Sequence, residues 1–515
     1  MVGLFEELLS YYGLTKEGYA ALTEEPSFSH LPSIESAPAL IKALERIGKA
    51  KLNDEKAIVY GDYDCDGVMS TSIMVRALRE YGLKTSSYLP SRYLDGYGLN
   101  LANAKKIVAS GYSLVLTVDN GVMAHEGLAY LHEHGVDAIV LDHHEIQGDL
   151  PPLFALIHPT TLEYGAIPVS AGYLAFLFSV ALLKKEDEYL LALGALSTLS
   201  DMMPLKGYNR EIVRLGLNAI AAKRFPAICG FFDKTILDEK NLSMDFIPAI
   251  NAIGRMVEDA SINRLVTYFA DDDSDKRALI AAWMKEVNAR RKDVTKTAEM
   301  ALTINHDEPA VVVLSDLPEG LNGLLANRLL NEYGKPVCVL SPSKIDPDIL
   351  VGSLRSQEGF NVMKALEKLD KLLVKGGGHA FAGGVSIRKE DFGAFKRELN
   401  FDALKYQINP PKINRIELGL GQCTMETYKL IRTFGPFGQE WKEPDFLLKG
   451  VETASLTFSK DGKYLSSPLP HGARLFSFRL GASYFADKPS VDLLAKLAFN
   501  EYKGRFSLDV VVDKV

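Results

Sequence analysis

Residues 57–67 read AIVYGDYDCDG. An apolar run of strand character ends on three aspartates at alternate positions, Asp62, Asp64 and Asp66, and Gly67 then lets the chain turn into a helix. Three more runs of the same kind follow: LVLTV at 114–118, DAIVL at 137–141 and FALIH at 154–158, with amphipathic helical patterns between them. Continuous apolar strands separated by helices predict a parallel sheet covered on both faces. The first three runs are each followed directly by a carboxylate, Asp62, Asp119 and Asp142. Open α/β sheets bind ligands outside the carboxyl ends of their strands, so these acids are expected to converge on one place.

Alternating aspartates in an extended turn repel one another unless a cation sits among them. An EF-hand does not explain the turn, because its twelfth position holds Ile73 where a Glu is required. The third aspartate opens the run Asp142-His143-His144, and a further one, Asp201, lies in the apolar stretch LSTLSDMMPL. Carboxylates with imidazole and no thiolate suit Mn2+ or Mg2+ better than structural zinc. With four or more carboxylates, two ions about 3.5–4 Å apart are expected, an arrangement suited to hydrolysis of a phosphoester.

The chain has 515 residues, which at roughly 100–200 per domain suggests three or four domains. Lys and Arg total 58 against 66 for Asp and Glu, a net charge of −8, which excludes a polycation that binds nucleic acid by bulk charge. The four cysteines are scattered and form no C-x-x-C pair, as expected of a reducing cytoplasm. The N-terminus has no basic segment of the signal-peptide kind, and the longest apolar stretch, near Tyr173–Leu183, is too short to span a bilayer. A cytoplasmic protein without membrane contact is the expectation.

Residues 1–50 read as a helical, peripheral segment, 51–225 as the first α/β domain and 226–304 as a helical connector. From Pro309 the α/β signature resumes and defines a smaller domain over 305–397. Pro410-Pro411 marks a linker, and 405–515 ends in β alternation, with Phe506, Leu508, Val510 and Val512 set against Ser507, Asp509 and Asp513, as in a small β barrel.

The ordered strings DYDCDG, VDNG, DHH and SDMMPL resemble the four motifs of the DHH phosphoesterase superfamily. PSRYLDGYGL (90–99), NAIGR (251–255), GSLRS (352–356), GGGHAFAGG (376–384) and PFGQEWKEP (436–444) narrow the resemblance to its RecJ family, the single-strand-specific 5′→3′ exonucleases. The resemblance covers residues 50–515 and implies a DHH catalytic domain, a DHH-associated domain and a C-terminal OB-fold. It implies that Asp64, Asp66, Asp119, His143 and Asp201 bind two Mn2+ or Mg2+ ions. Asp62 becomes an extra ligand or a base, Asp142 orients His143 through its second ring nitrogen, and His144 contacts the scissile phosphate. Ser353, Arg355 and Arg255 are implied to hold a 5′-phosphate, and the loop with Arg92 and Tyr97 to contact DNA near the metals.

In GGGHAFAGG, His379 can donate to a phosphate. Lys364, Lys368, Lys371 and Lys375 are spaced to share one helical face, and Asn288, Arg290, Arg291 and Lys292 form a second basic patch; solvation is the plainer reading of both. The resulting expectation is a monomeric, two-metal, single-stranded-DNA-specific 5′→3′ exonuclease that releases 5′-mononucleotides. A helicase and a single-strand-binding protein are its partners by analogy. The rivals are a DHH enzyme acting on short oligoribonucleotides or small nucleotides, and a non-catalytic replication scaffold.

Overall fold

The computed structural model describes residues 2–96, 98–162, 167–405, 415–502 and 505–514. Tyr97 and the Pro410-Pro411 linker therefore lie outside the described residues. The first sheet has five strands: β1 (Lys56–Tyr60), β2 (Lys84–Tyr88), β3 (Leu114–Val118), β4 (Asp137–Leu141) and β5 (Ala155–Ile157). They run in the order β2-β1-β3-β4-β5, all parallel. Alternate side chains leave by opposite faces. Val59, Leu116 and Ile139 join the main core, whereas Ile58, Val115 and Val140 join a second one. The sheet is thus covered on both sides, which is why its strands are continuously apolar. The helices Ala171–Leu183 and Glu188–Ser200 are buried almost all round and pack against the helix Cys65–Tyr81.

The second sheet contains β6 (Val311–Leu314), β7 (Val337–Pro342), β8 (Ile349–Arg355), β9 (Leu373–Gly378) and β10 (Ala382–Arg388), in the order β6-β7-β8-β10-β9. Only the β6–β7 pair is parallel. The expected lysine face does not form. The helix there spans only Val362–Lys368, and the chain then enters β9, where Lys375 and the glycines pair with β10. Ladder bonds win because successive glycines are poor helix formers. Lys368 is taken up by Asp402 at 2.7 Å.

One helix, Ser274–Ala301, links the two α/β domains. Met284 and Val287 near its middle pack into the first domain, and Val294 and Ala298 further along pack against the second.

The third sheet has six strands, β11 (Arg415–Glu417), β12 (Asp445–Glu452), β13 (Leu465–Pro468), β14 (Ala473–Ser477), β15 (Ser490–Tyr502) and β16 (Arg505–Lys514). Their order is β11-β12-β15-β16-β14-β13. Leu508, Val510 and Val512 point into its core as the alternation predicts, but Phe506 lies beyond it and is 55% exposed.

The N-terminal segment is helical but not peripheral. Leu4, Leu8 and Leu9 of the helix Val2–Tyr12 complete the core of the third sheet beside Ile416, Phe434 and Leu493. The Tyr12 ring stacks on Phe434 and Trp441, and its hydroxyl donates to the Lys442 carbonyl at 2.9 Å. Further along, the helix Pro38–Leu52 buries Leu40, Ala43 and Ile47 in the main core. Among the described residues, no helix is long and apolar enough to cross a membrane.

Leu8 is fully buried. Leu8→Ala is expected to destabilise the C-terminal sheet by about 2–5 kcal/mol, the usual cost of a cavity of that size. Urea unfolding of the intact chain measures this, and an unchanged midpoint would show that the helix is no part of that core.

Candidate metal centre

The turn after β1 is fixed from three sides. Asp64 caps the helix Cys65–Tyr81, accepting from the Gly67 N–H at 3.0 Å. The Cys65 N–H donates to Asn251 Oδ1 at 2.8 Å. Gly254, on the helix Ile247–Met256, comes so close that a Cβ there would lie 2.3 Å from the Tyr63 carbonyl oxygen. Asp66 points into the protein, where it accepts from the Ala171 and Gly172 N–H groups at 2.9 Å each and from the Ser197 hydroxyl at 2.5 Å.

Asp119 follows β3 in a left-handed conformation, φ 60°. Asp tolerates that region better than most side chains. Its neighbour Asn120 ties the second motif to the first, donating to the Gly61 carbonyl at 3.0 Å. Asp201 caps the C-terminal end of the helix Glu188–Ser200.

His143 Nε2 is the hub. It lies 3.2 Å from Asp119 Oδ1 and 3.6 Å from both Asp66 Oδ2 and Asp201 Oδ2. Its ring N–H faces the Val169 main-chain carbonyl, which favours the protonated ring. This corrects the expectation for Asp142. The Asp142 carboxylate serves the ring of His144, not that of His143, at 2.7 Å to Nδ1, and it also accepts from the Val122, His143 and His144 N–H groups.

Three groups of side chains have ligand atoms within 4.8 Å of one another: Asp62, Asp64 and Asp119; Asp66, His143 and Asp201; and Asp119, His143 and His144. Burial and then mutual repulsion raise the carboxyl pKa values. Asp62 and Asp119 lie well above the ordinary carboxylate range, Asp66 is pushed up to about 7 and Asp201 to about 8. Burial and the neighbouring His144 push His143 down to about 4, so its imidazole is neutral near pH 7. His144 goes the other way. Burial opposes its charge, but the Asp142 hydrogen bond outweighs burial and raises it to about 9.

The buried oxygens Asp62 Oδ1 and Asp201 Oδ2 accept no hydrogen bond. Orphaned carboxylate oxygens around a neutral imidazole, with no thiolate, fit hard divalent cations.

The metal cleft encloses about 240 Å3 and is walled on its far side by Arg92 and Arg255. The same two arginines line an adjoining cavity of about 350 Å3 whose other wall is Ser353 and Arg355, at the end of β8. Arg355 donates to the Ser353 hydroxyl at 2.6 Å. The Arg92 guanidinium lies 5.6 Å from the Tyr63 ring centre. Among the described residues, none of Arg92, Arg255, Arg291 and Arg355 has a carboxylate within 4.0 Å. Burial, and then Arg92, Arg291 and Arg355 around it, pull the Arg255 pKa down to about 10. His379, in the turn between β9 and β10, lines a third cavity together with Asn120, Asp142 and His144.

Sequence reasoning missed Asn251, Ser197 and Tyr63, and it left Arg291 as a solvated patch. For Asn251 the signal was available, since it opens the NAIGR string. For Ser197 there was none, since its partner Asp66 is 131 residues away.

Comparison with known proteins adds the following. Residues 56–197 match the DHH family N-terminal domain, 308–401 the DHHA1 domain and 416–514 the RecJ OB domain. The single-stranded-DNA-specific exonuclease RecJ of Escherichia coli is 30% identical over 527 residues, covering 92% of this chain and 89% of that protein. The chain belongs to the RecJ family. RecJ of Bacillus subtilis is 30% identical over 429 residues, and the match takes in only 54% of that protein's length. The crystal structure of RecJ from Thermus thermophilus in complex with Mn2+ shares the fold, with a TM-score of 0.81 at 24% identity, over 99% of this chain and 77% of that one. The three-part architecture read from the sequence is thus that of RecJ: parallel-sheet domain, smaller α/β domain and OB domain.

In the absence of cations, protons take their place. Asp66 and Asp201 hold theirs up to about pH 7 and 8 when folded, against about 3.9 for an unfolded Asp. Raised folded values mean stability that is complete below about pH 4 and is lost as pH rises through 7 and 8. In EDTA the melting temperature should therefore fall between pH 5 and pH 8, Asp201→Asn should flatten the fall, and Mn2+ at pH 8 should reverse it. A flat profile in EDTA would contradict these electrostatics.

Proposed function

We propose that this chain is a single-stranded-DNA-specific exonuclease that hydrolyses phosphodiester bonds from the 5′ end and releases 5′-mononucleotides. The observation that carries the reading is the pairing, across adjoining cavities, of a buried carboxylate–histidine cluster with Arg92, Arg255 and Arg355, none of which, among the described residues, has a carboxylate within 4.0 Å. Positive charge left unpaired in a half-buried cavity suits a phosphate.

On this reading Asp64, Asp66, Asp119, His143 and Asp201 hold two divalent ions, Mn2+ or Mg2+, with Asp62 as an additional ligand or a proton acceptor. Once bound, the ions supply Lewis acidity to the scissile phosphate and its attacking water. The protein's own groups do the rest. Ser353, Arg355 and Arg255 would hold the terminal 5′-phosphate in the cavity that adjoins the carboxylate cluster. Arg92 bridges the two cavities and holds the intervening backbone. His144, kept charged by Asp142, donates to the scissile phosphate, and His379 approaches the same atoms from the other domain. Tyr97, outside the described residues, keeps its proposed contact with the strand.

A cleft walled closely by both domains suits one strand and excludes a duplex. The OB domain extends the groove. A cytoplasmic monomer working with a helicase and a single-strand-binding protein completes the proposal. The small-nucleotide reading is disfavoured by the RecJ OB domain, and the scaffold reading by the intact ligand set.

A single strand labelled at either end, digested with Mn2+ or EDTA beside a duplex and a short RNA, tests the proposal. Immediate, metal-dependent release of the 5′ label as a mononucleotide is expected, with the duplex spared. Cleavage of the RNA alone, or binding without cleavage, would refute it. Asp201→Ala should abolish the activity. Arg355→Ala should cost roughly 10–100-fold on a 5′-phosphorylated strand, the usual worth of a hydrogen bond to a charged group, and much less on a 5′-hydroxyl strand. Equal losses on the two strands would remove Arg355 from the phosphate site.

A further inference from the structure

Asn209 lies in the first turn of the helix Gly207–Lys223 and is fully buried. Its Nδ2 donates to two carbonyls, Pro168 at 2.7 Å and Pro204 at 3.1 Å. These belong to the two segments that serve the metal cluster from beyond the strand ends.

Pro168 precedes Val169, whose main chain holds the His143 ring, and then Ala171 and Gly172, whose N–H groups hold Asp66. Pro204 closes the turn that begins at Asp201. That turn contains Met202 in a left-handed conformation, φ 52°; the Met203 N–H ties it back to the Thr198 carbonyl at 3.2 Å, and the Pro204 carbonyl also accepts from the Lys206 N–H at 2.8 Å. Prolines have no N–H, so a side-chain donor is a natural way to fix these two points. Two carbonyl acceptors require the NH2 end of the amide. Its Oδ1 is buried and accepts no hydrogen bond, so the side chain is poorly suited as core filler and well suited as a double donor.

We propose that Asn209 is a positioning residue of the metal centre. It sets the separation between the segment that supports His143 and Asp66 and the turn that carries Asp201. Those three side chains form one ligand group, with His143 Nε2 3.6 Å from each carboxylate, so a small drift of one segment opens the group. The inference rests on the metal reading of the cluster and adds a residue to it.

The test is a Mn2+ titration of the full chain, followed by the electron paramagnetic resonance signal of free Mn2+. Asn209→Ala should weaken Mn2+ binding about 10–100-fold, the usual effect of removing a group that orients ligands, and excess Mn2+ should restore most of the nuclease rate. Asn209→Ser, which keeps one donor, should lose less, and it serves also if the Ala variant does not fold. Leu215→Ala, buried in the same helix, should lower the melting temperature without changing Mn2+ affinity. Unchanged affinity in a folded Asn209 variant, or an equal loss in Leu215→Ala, would overturn the inference. A parent chain that binds no Mn2+ would instead overturn the metal reading itself.

Discussion

Five carboxylates share one cleft, and their mutual repulsion is the constraint to which the surrounding structure answers. It is met unevenly. Asp66 receives three donors and Asp142 four, whereas Asp62 and Asp201 each keep an oxygen with none. The satisfied oxygens hold their side chains still, and the unsatisfied ones are left for a cation. The two histidines divide in the same way. Neutral His143 faces the acids as a lone-pair donor, and charged His144 leans on the one carboxylate that is turned away from the cluster.

The opposite wall has the reverse problem, a surplus of guanidinium groups. Among the described residues no carboxylate lies within 4.0 Å of Arg92, Arg255 or Arg355, although Glu319 lines the same cavity. The helix Ser274–Ala301, 28 residues long, packs into both domains, and the Gly320 backbone against Arg255 and the Lys344–Glu258 ion pair join them further.

Much of this was legible in the sequence because it is local. Strand runs that end in Asp62, Asp119 and Asp142 put ligands at one sheet edge whatever else the fold does. Where the reading failed, the deciding contact was distant. Whether Asp142 serves His143 or His144 depends on which ring Val169 captures, and no spacing encodes that. The lysines at 364–375 obey a helical period, but the glycines after them pair with β10 and end the helix. Arg291 reads like any charge on a long helix, and only the fold brings it near Arg255. The helix Val2–Tyr12 showed an apolar face with no indication of what would cover it.

That last contact has a temporal side. Tyr12 and Lys442 are bonded across 430 residues of chain. At roughly 5–20 residues per second, the ribosome needs on the order of 20–90 s to deliver the partner of the first helix. Throughout that interval Leu4, Leu8 and Leu9 have no native core to enter, while both α/β domains can already have formed. The OB core therefore closes only after its late strands are made, and its closure joins segments far apart in the chain.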